Sequence, residues 1–181
     1  DDIIVTAQKR EQSLQEVPIV VTSLSEQLLE DAGVRDIKDM QILTPGLTVT
    51  STQSEASTTV RIRGAGTVGD NPGLESSVGI VIDGVYRSRN SVGFGDLGEL
   101  QRIEVLKGPQ GTLFGKNTSA GVINILTEAP SFDTELNGEL TVGNYGAVGF
   151  SASATGGLTD QVAGRFFFAT REREGFYDVD L

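Results

Sequence analysis

The 181-residue chain contains neither cysteine nor histidine. Their absence excludes disulfides, thiolate chemistry, a Cys/His zinc site, histidine general-base catalysis and Ser-His-Asp triads together. Basic residues are also scarce: 14 Lys and Arg stand against 25 Asp and Glu, a formal net charge of −11. Broad attraction to nucleic-acid phosphates or anionic lipid is therefore not supported, and cationic or metal-chelate partners suit the chain better. No apolar run approaches the ~18 residues that a membrane-spanning helix needs. That excludes helical spans but leaves β-barrels open, because alternating strands average out in any hydropathy window. The chain opens Asp1-Asp2 with no basic region or apolar stretch, which reads as a chain whose signal peptide, if any, has gone. What is present is a glycine-punctuated sequence, 23 Gly among 38% hydrophobic residues, with a mean hydropathy of −0.08. Such a chain is suited to binding more than to covalent chemistry.

Residues 1–16 form a polar arm whose only apolar cluster is Ile3-Ile4-Val5. Val17 to Thr22 reads as a short strand. Ser23 with Glu26 makes a capping-box signature ahead of Leu28, Leu29 and Ala32, and Gly33 ends that helix. A second short helix is expected from Asp36, with Ile37, Met40 and Leu43 near one face and Pro45-Gly46 ending it. Leu47–Thr52, Thr59–Arg63, Val78–Ile82, Val85–Arg87 and, after Leu97–Gln101, Arg102–Lys107 and Gly121–Thr127 read as strands, with a type I′ turn at Asp83-Gly84. This hairpin collects Arg63, the 65–77 loop and the 88–95 loop at one end and places Asp83-Gly84 at the other. Pro130 marks a boundary.

Beyond it the sequence alternates. Leu136–Asn144, Ala147–Thr155 and Val162–Arg171 carry apolar or small residues at even positions, including Leu140, Phe150, Phe166 and Phe168, with turns at Tyr145-Gly146 and Gly156–Asp160. Each has the ~9–11 residues of a tilted strand crossing a bilayer. A soluble antiparallel meander shows the same period, so alternation alone fits both. Glu139 and Arg165 among the odd positions suit a wet lumen.

Several motifs then line up: Asp2-Ile3-Ile4-Val5-Thr6-Ala7, Val60-Arg61-Ile62-Arg63-Gly64, Val81-Ile82-Asp83-Gly84-Val85, Arg102-Ile103-Glu104-Val105-Leu106-Lys107-Gly108-Pro109, Gly111-Thr112-Leu113-Phe114-Gly115 and Gly121-Val122-Ile123-Asn124-Ile125. In this order and spacing they resemble the N-terminal part of a TonB-dependent outer-membrane receptor, and the resemblance covers nearly the whole chain. It implies an α+β plug, a small mixed sheet with short helices. The start of an antiparallel transmembrane barrel follows, 22 strands being expected in a full protein several times longer. The corresponding domains are an arm at 1–16, a plug at 17–130 and the first barrel strands at 131–181. The implied activity is TonB-dependent uptake of a scarce nutrient, most commonly an iron–siderophore complex, with no enzymatic step, cofactor or bound metal. The implied partners are TonB, a small-molecule cargo and outer-membrane lipid, with no nucleic acid. The implied location is the outer membrane of a Gram-negative bacterium, with the arm in the periplasm.

The resemblance assigns Asp2, Ile3, Ile4, Val5, Thr6 and Ala7 to TonB contact, a β-prone segment able to add to a partner's sheet edge; a plain tail or an edge strand of the plug is the alternative. Arg63, from the Ile-Arg-Gly motif, with Arg87, Arg89 and Asn90 is assigned to cargo, since guanidinium forks hold chelate oxygens. For any single arginine, pairing with an Asp or Glu of the protein is an equal alternative. Lys107 stands where the family more often has arginine, and there it would lock the plug to barrel carboxylates without the bidentate fork.

Three other patterns fail as sites. Gly115-Lys116 lacks the Gly at 110 and the Ser or Thr at 117 of a phosphate loop, Gly64-Ala65-Gly66 with Gly69 lacks a following helix, and Asp70, Asn71 and Glu75 lack calcium-loop spacing. A soluble secreted β-rich binding or adhesion module remains the second reading. An enzyme with paired carboxylates, Asp83 and Glu104, is the third.

Overall fold

A computed structural model describes residues 3–6, 10, 12–34, 37–51, 58–67, 75–87 and 99–173. The chain divides into two compact units, Asp1–Thr127 and Glu128–Leu181, just ahead of Pro130.

The first unit is built on a mixed five-stranded sheet. In chain order its strands are β1 (Ile4–Val5), β2 (Gln12–Ser13), β3 (Val20–Ser25), β4 (Leu47–Ser51), β5 (Thr58–Ile62), β6 (Val78–Ile82), β7 (Val85–Arg87), β8 (Leu100–Lys107) and β9 (Gly121–Thr127). The main sheet has the order β3-β8-β9-β6-β7, while β1-β2 and β4-β5 form separate two-stranded ribbons. Among the described residues only β6 and β9 run parallel. Their near-continuous apolar sequences, Val-Gly-Ile-Val-Ile and Gly-Val-Ile-Asn-Ile, suit strands covered on both faces. Asp83 and Gly84 both take positive φ, 48° and 78°, so β7 returns along β6 through the expected two-residue turn.

The period-2 alternation of the strands sorts their side chains into two cores. Leu24, Ile62, Val78, Ile80, Ile103, Val105, Ile123 and Ile125 cluster together. On the opposite face Val81, Leu106 and Val122 join Val5 and Val17, with Leu14 and Phe114 packed alongside. Helix α1 (Glu26–Asp31) covers the first face through Leu29. Ser25 caps it, accepting the Leu28 N–H at 3.4 Å; the expected cap, Ser23, lies inside β3 opposite Glu104. The ladder with β8 holds the chain extended for one more side-chain period than the capping-box pattern implies. At the far end Val34 N–H donates to Leu29 O, with Gly33 left-handed.

The second expected helix is reduced to a 3-10 turn, Asp39–Gln41, though Ile37 and Met40 are buried as anticipated; its expected start, Asp36, lies outside the described residues. Gln41 explains the tight turn. Its side chain donates to Lys38 O and accepts Val49 N–H, tying the turn to β4. The strand expected from Arg102 starts two residues earlier, at Leu100, with a register shift between Leu100 and Arg102. A single helical turn, α2 (Gly111–Phe114), lies between β8 and β9.

The second unit is an antiparallel meander of β10 (Glu135–Val142), β11 (Val148–Thr159) and β12 (Val162–Glu172). Its register keeps even residues opposite even ones: Leu140 faces Phe150, Ala152 faces Phe168 and Ala154 faces Phe166. One continuous apolar face results, and it stands exposed, with Leu136 at 76%, Leu140 at 70% and Phe166 at 68%. The odd face carries all the strand charges but Glu172: Glu139 accepts the Thr141 hydroxyl, and Arg165 lies 3.7 Å from Glu128. β11 runs on to Thr159, into the stretch predicted as the Gly156–Asp160 turn, with an irregularity between Gly157 and Thr159.

Candidate functional site

Two regions of the first unit bear on function, one at a sheet end and one on the second sheet face. At the sheet end, β8 finishes at Lys107, opposite Gly121 at the start of β9, which in turn pairs with Val78 at the start of β6. β7 finishes at Arg87, opposite Ile80 of β6. Arg63, just past β5, takes a left-handed φ of 54° and donates its N–H to Gly46 O at 2.7 Å. Lys107 Nζ donates to the neighbouring Pro45 O at 3.1 Å. The Pro45-Gly46 bend thus draws Arg63 and Lys107 together. Burial first, and the Arg63 guanidinium second, hold the Lys107 ammonium below its ordinary lysine value.

At the same end Asn117 donates to the Tyr86 hydroxyl, and Lys116 pairs with Glu75 at 2.8 Å. That pairing, with Asn117 assisting, lowers the Glu75 pKa and raises that of Lys116. Arg87 is half-buried, and its Nε has no hydrogen-bond partner among the described residues. The structure therefore brings Arg63, Arg87 and Lys107 to one end. Arg89 and Asn90 lie outside the described residues, as do Asp70 and Asn71.

The second region concerns the arm. The sequence pattern gave Ile3 to Thr6 no core, yet Ile4 and Val5 pair with Ser13 and Gln12, and Leu14 N–H donates to Ile3 O at 2.8 Å. Val5 is fully buried against the face that carries Leu106 and Val122. One side-chain period along those strands, on the same face, stand Glu104 and Asn124, a cross-strand pair. Glu104 is also fully buried. It accepts the Thr6 N–H at 2.7 Å and the Thr6 hydroxyl at 3.1 Å. Arg102 Nε donates to it at 2.8 Å and Asn124 Nδ2 at 3.1 Å, and Asn124 also reaches the Thr6 hydroxyl. A buried carboxylate needs such donors. The clue was present in the sequence as a glutamate set inside Ile-Glu-Val-Leu, a strand apolar on both faces. Asp2 and Ala7, the ends of the segment, lie outside the described residues.

The carboxylate pair of the enzyme reading serves structural ends. Asp83 accepts the Thr127 N–H and hydroxyl, each at 2.9 Å, and Glu104 is taken up by Thr6, Arg102 and Asn124.

The sequence profile of the TonB-dependent receptor plug domain matches residues 13–122. The pesticin receptor of Yersinia pestis is 36% identical over 134 residues, covering 71% of this chain and 19% of its own length. An iron-regulated outer membrane virulence protein of Vibrio cholerae is 31% identical over 192 aligned positions, 96% of this chain and 28% of its own. Among solved structures, the ferric yersiniabactin uptake receptor FyuA of Yersinia pestis superposes with a TM-score of 0.72 at 26% identity, over 83% of this chain and 24% of that one. The ferripyoverdine receptor of Pseudomonas aeruginosa shares the fold at a TM-score of 0.80 and 24% identity, over 97% and 23%. The chain thus spans less than a third of these relatives. A mixed plug sheet followed by an amphipathic antiparallel meander, with this profile and these relatives, places the chain in the family of TonB-dependent receptors.

Proposed function

We propose that this chain is the plug and first barrel strands of an outer-membrane receptor that takes up an iron–siderophore complex, driven by TonB through residues 2–7. The observation that carries the reading is the register of β10 to β12: every even-numbered apolar side chain on these strands up to Gly156 falls on one exposed face, the arrangement a barrel wall presents to lipid. The relatives support the cargo class. FyuA is a ferric yersiniabactin uptake receptor, and the Vibrio cholerae protein is an iron-regulated outer membrane protein. A vitamin B12 transporter of Vibrio vulnificus, 33% identical over 132 residues, marks cobalamin as the competing cargo.

In this reading the arm is periplasmic and the sheet end with Arg63 and Arg87 faces the outside, Arg89 and Asn90 being assigned to cargo by the family motif alone. The exposed guanidinium of Arg63 supplies donors for chelate oxygens, and the half-buried Arg87 stands at the same sheet end. Lys107, crowded by Arg63, is relieved by an acidic partner on the barrel wall and acts as the plug's lock. No bond is made or broken in the cargo. Energy enters as a pull on the arm, and the plug contributes regions of unequal stability. The test is energised uptake of labelled ferric chelates and of cobalamin by cells carrying the full receptor. Removing residues 2–7 should abolish uptake while binding at the cell surface persists; loss of both refutes the assignment of the arm.

A further inference from the structure

The segment that the proposed function gives to TonB has its own partners already. Ile4 and Val5 form a ladder with Ser13 and Gln12, Ile3 O accepts Leu14 N–H, and Thr6 N–H is held by Glu104. A strand adding to a sheet edge needs free main-chain donors and acceptors along that edge. It also needs the side chains released, and Val5 is fully buried. We propose that Glu104 is the catch holding residues 3–6 on the plug sheet, so that a partner strand engages this segment only after the bonds between Thr6 and Glu104 open. The inference rests on reading the segment as the arm that is pulled; the docking itself does not.

The donors around Glu104 fall into two sets. Thr6 supplies two from the arm, the N–H and the hydroxyl. Arg102 and Asn124 supply two from β8 and β9. When the arm leaves, the carboxylate keeps its guanidinium and its amide, so a compensated charge remains on an intact sheet. A buried charge stripped of every donor would instead destabilise the strands around it. The division makes release local and reversible: Val5 leaves the apolar patch of Leu106 and Val122, Thr6 leaves Glu104, and β8 and β9 stay paired. Glu104 is thus a positioning residue for the arm.

The test is amide hydrogen exchange in the full receptor, comparing residues 3–6 with β6 and β9. Glu104→Gln should speed exchange in residues 3–6 by about tenfold or more while leaving β6 and β9 unchanged, because a neutral amide cannot accept from all four donors. Thr6→Val, which loses the hydroxyl and keeps the N–H, should show a smaller rise at the same residues. If Glu104→Gln also loosens β6 and β9, Thr6→Pro decides, since it removes the N–H donor and leaves Glu104 with Arg102 and Asn124. Exchange at residues 3–6 that is unaltered in Thr6→Pro and Glu104→Gln overturns the catch. Titration with the periplasmic domain of TonB separates the two ideas: faster exchange with tighter binding supports both, whereas faster exchange with no binding keeps the catch and removes the TonB reading of the arm.

Discussion

Gly121 lies directly against the carbonyl oxygen of Leu106. A Cβ built there would collide with that oxygen and sit 2.7 Å from Ile62 Cδ1, and the backbone φ of 154° is one that side-chain-bearing residues rarely adopt. Strain and overlap act together at the start of the central strand, each costing about 1–3 kcal/mol. Gly121→Ala is therefore expected to lower the unfolding free energy by about 3 kcal/mol, read as a fall in the denaturant midpoint with an unchanged slope. A midpoint equal to the parent's would show that β8 and β9 can move apart freely.

Much of this sheet was legible because its signals are local. Val78–Ile82, Asp83-Gly84 and Val85–Arg87 spell a strand, a turn and a return strand within ten neighbouring positions, and the structure reproduces each. The alternation past Pro130 was equally direct, since one parity fixes the whole face. What escaped was long-range. Thr6 and Glu104 are 98 residues apart, and no periodicity joins them; only the incongruity of a glutamate in an apolar strand hinted that a partner would arrive. Ser25 displaced Ser23 as the helix cap for a similar reason, because pairing with β8 fixes where β3 stops.

Lys107 should separate fold from function. Its ammonium is disfavoured where it stands, by burial and by Arg63. A base with a depressed folded-state pKa opposes folding while protonated, and that penalty fades as pH rises through the lowered value. Lys107→Met should accordingly leave the receptor's stability at neutral pH within about 0.5 kcal/mol of the parent or slightly above it. The same variant should loosen the proposed lock, measured as greater entry of a bulky hydrophilic antibiotic. Unchanged entry would remove Lys107 from that role.

The pairing of Glu75 with Lys116 gives a pH signature of opposite sense. The Glu75 carboxyl titrates below its ordinary value of 4.5 in the folded chain, chiefly through the Lys116 hydrogen bond. Its small stabilisation is thus present above that value and is lost as pH falls through the lowered one. Melting temperatures of the parent and Lys116→Met should differ slightly at neutral pH and low salt, and converge as the pH falls through the lowered Glu75 value. Salt at about 1 M should erase the difference, since both groups are exposed. A gap that persists in acid would assign the effect to packing of the lysine stem.

The arrangement of β10 to β12 is tested most directly by nitroxide labels placed one at a time in the full receptor reconstituted in bilayers. Labels at Leu140, Phe150 and Phe168 should be relaxed by oxygen dissolved in lipid and little affected by an aqueous nickel chelate. Labels at Thr141, Ser151 and Ala169 should show the reverse bias. Loss of the alternation, or its inversion, would contradict a barrel wall and with it the receptor reading of the whole chain.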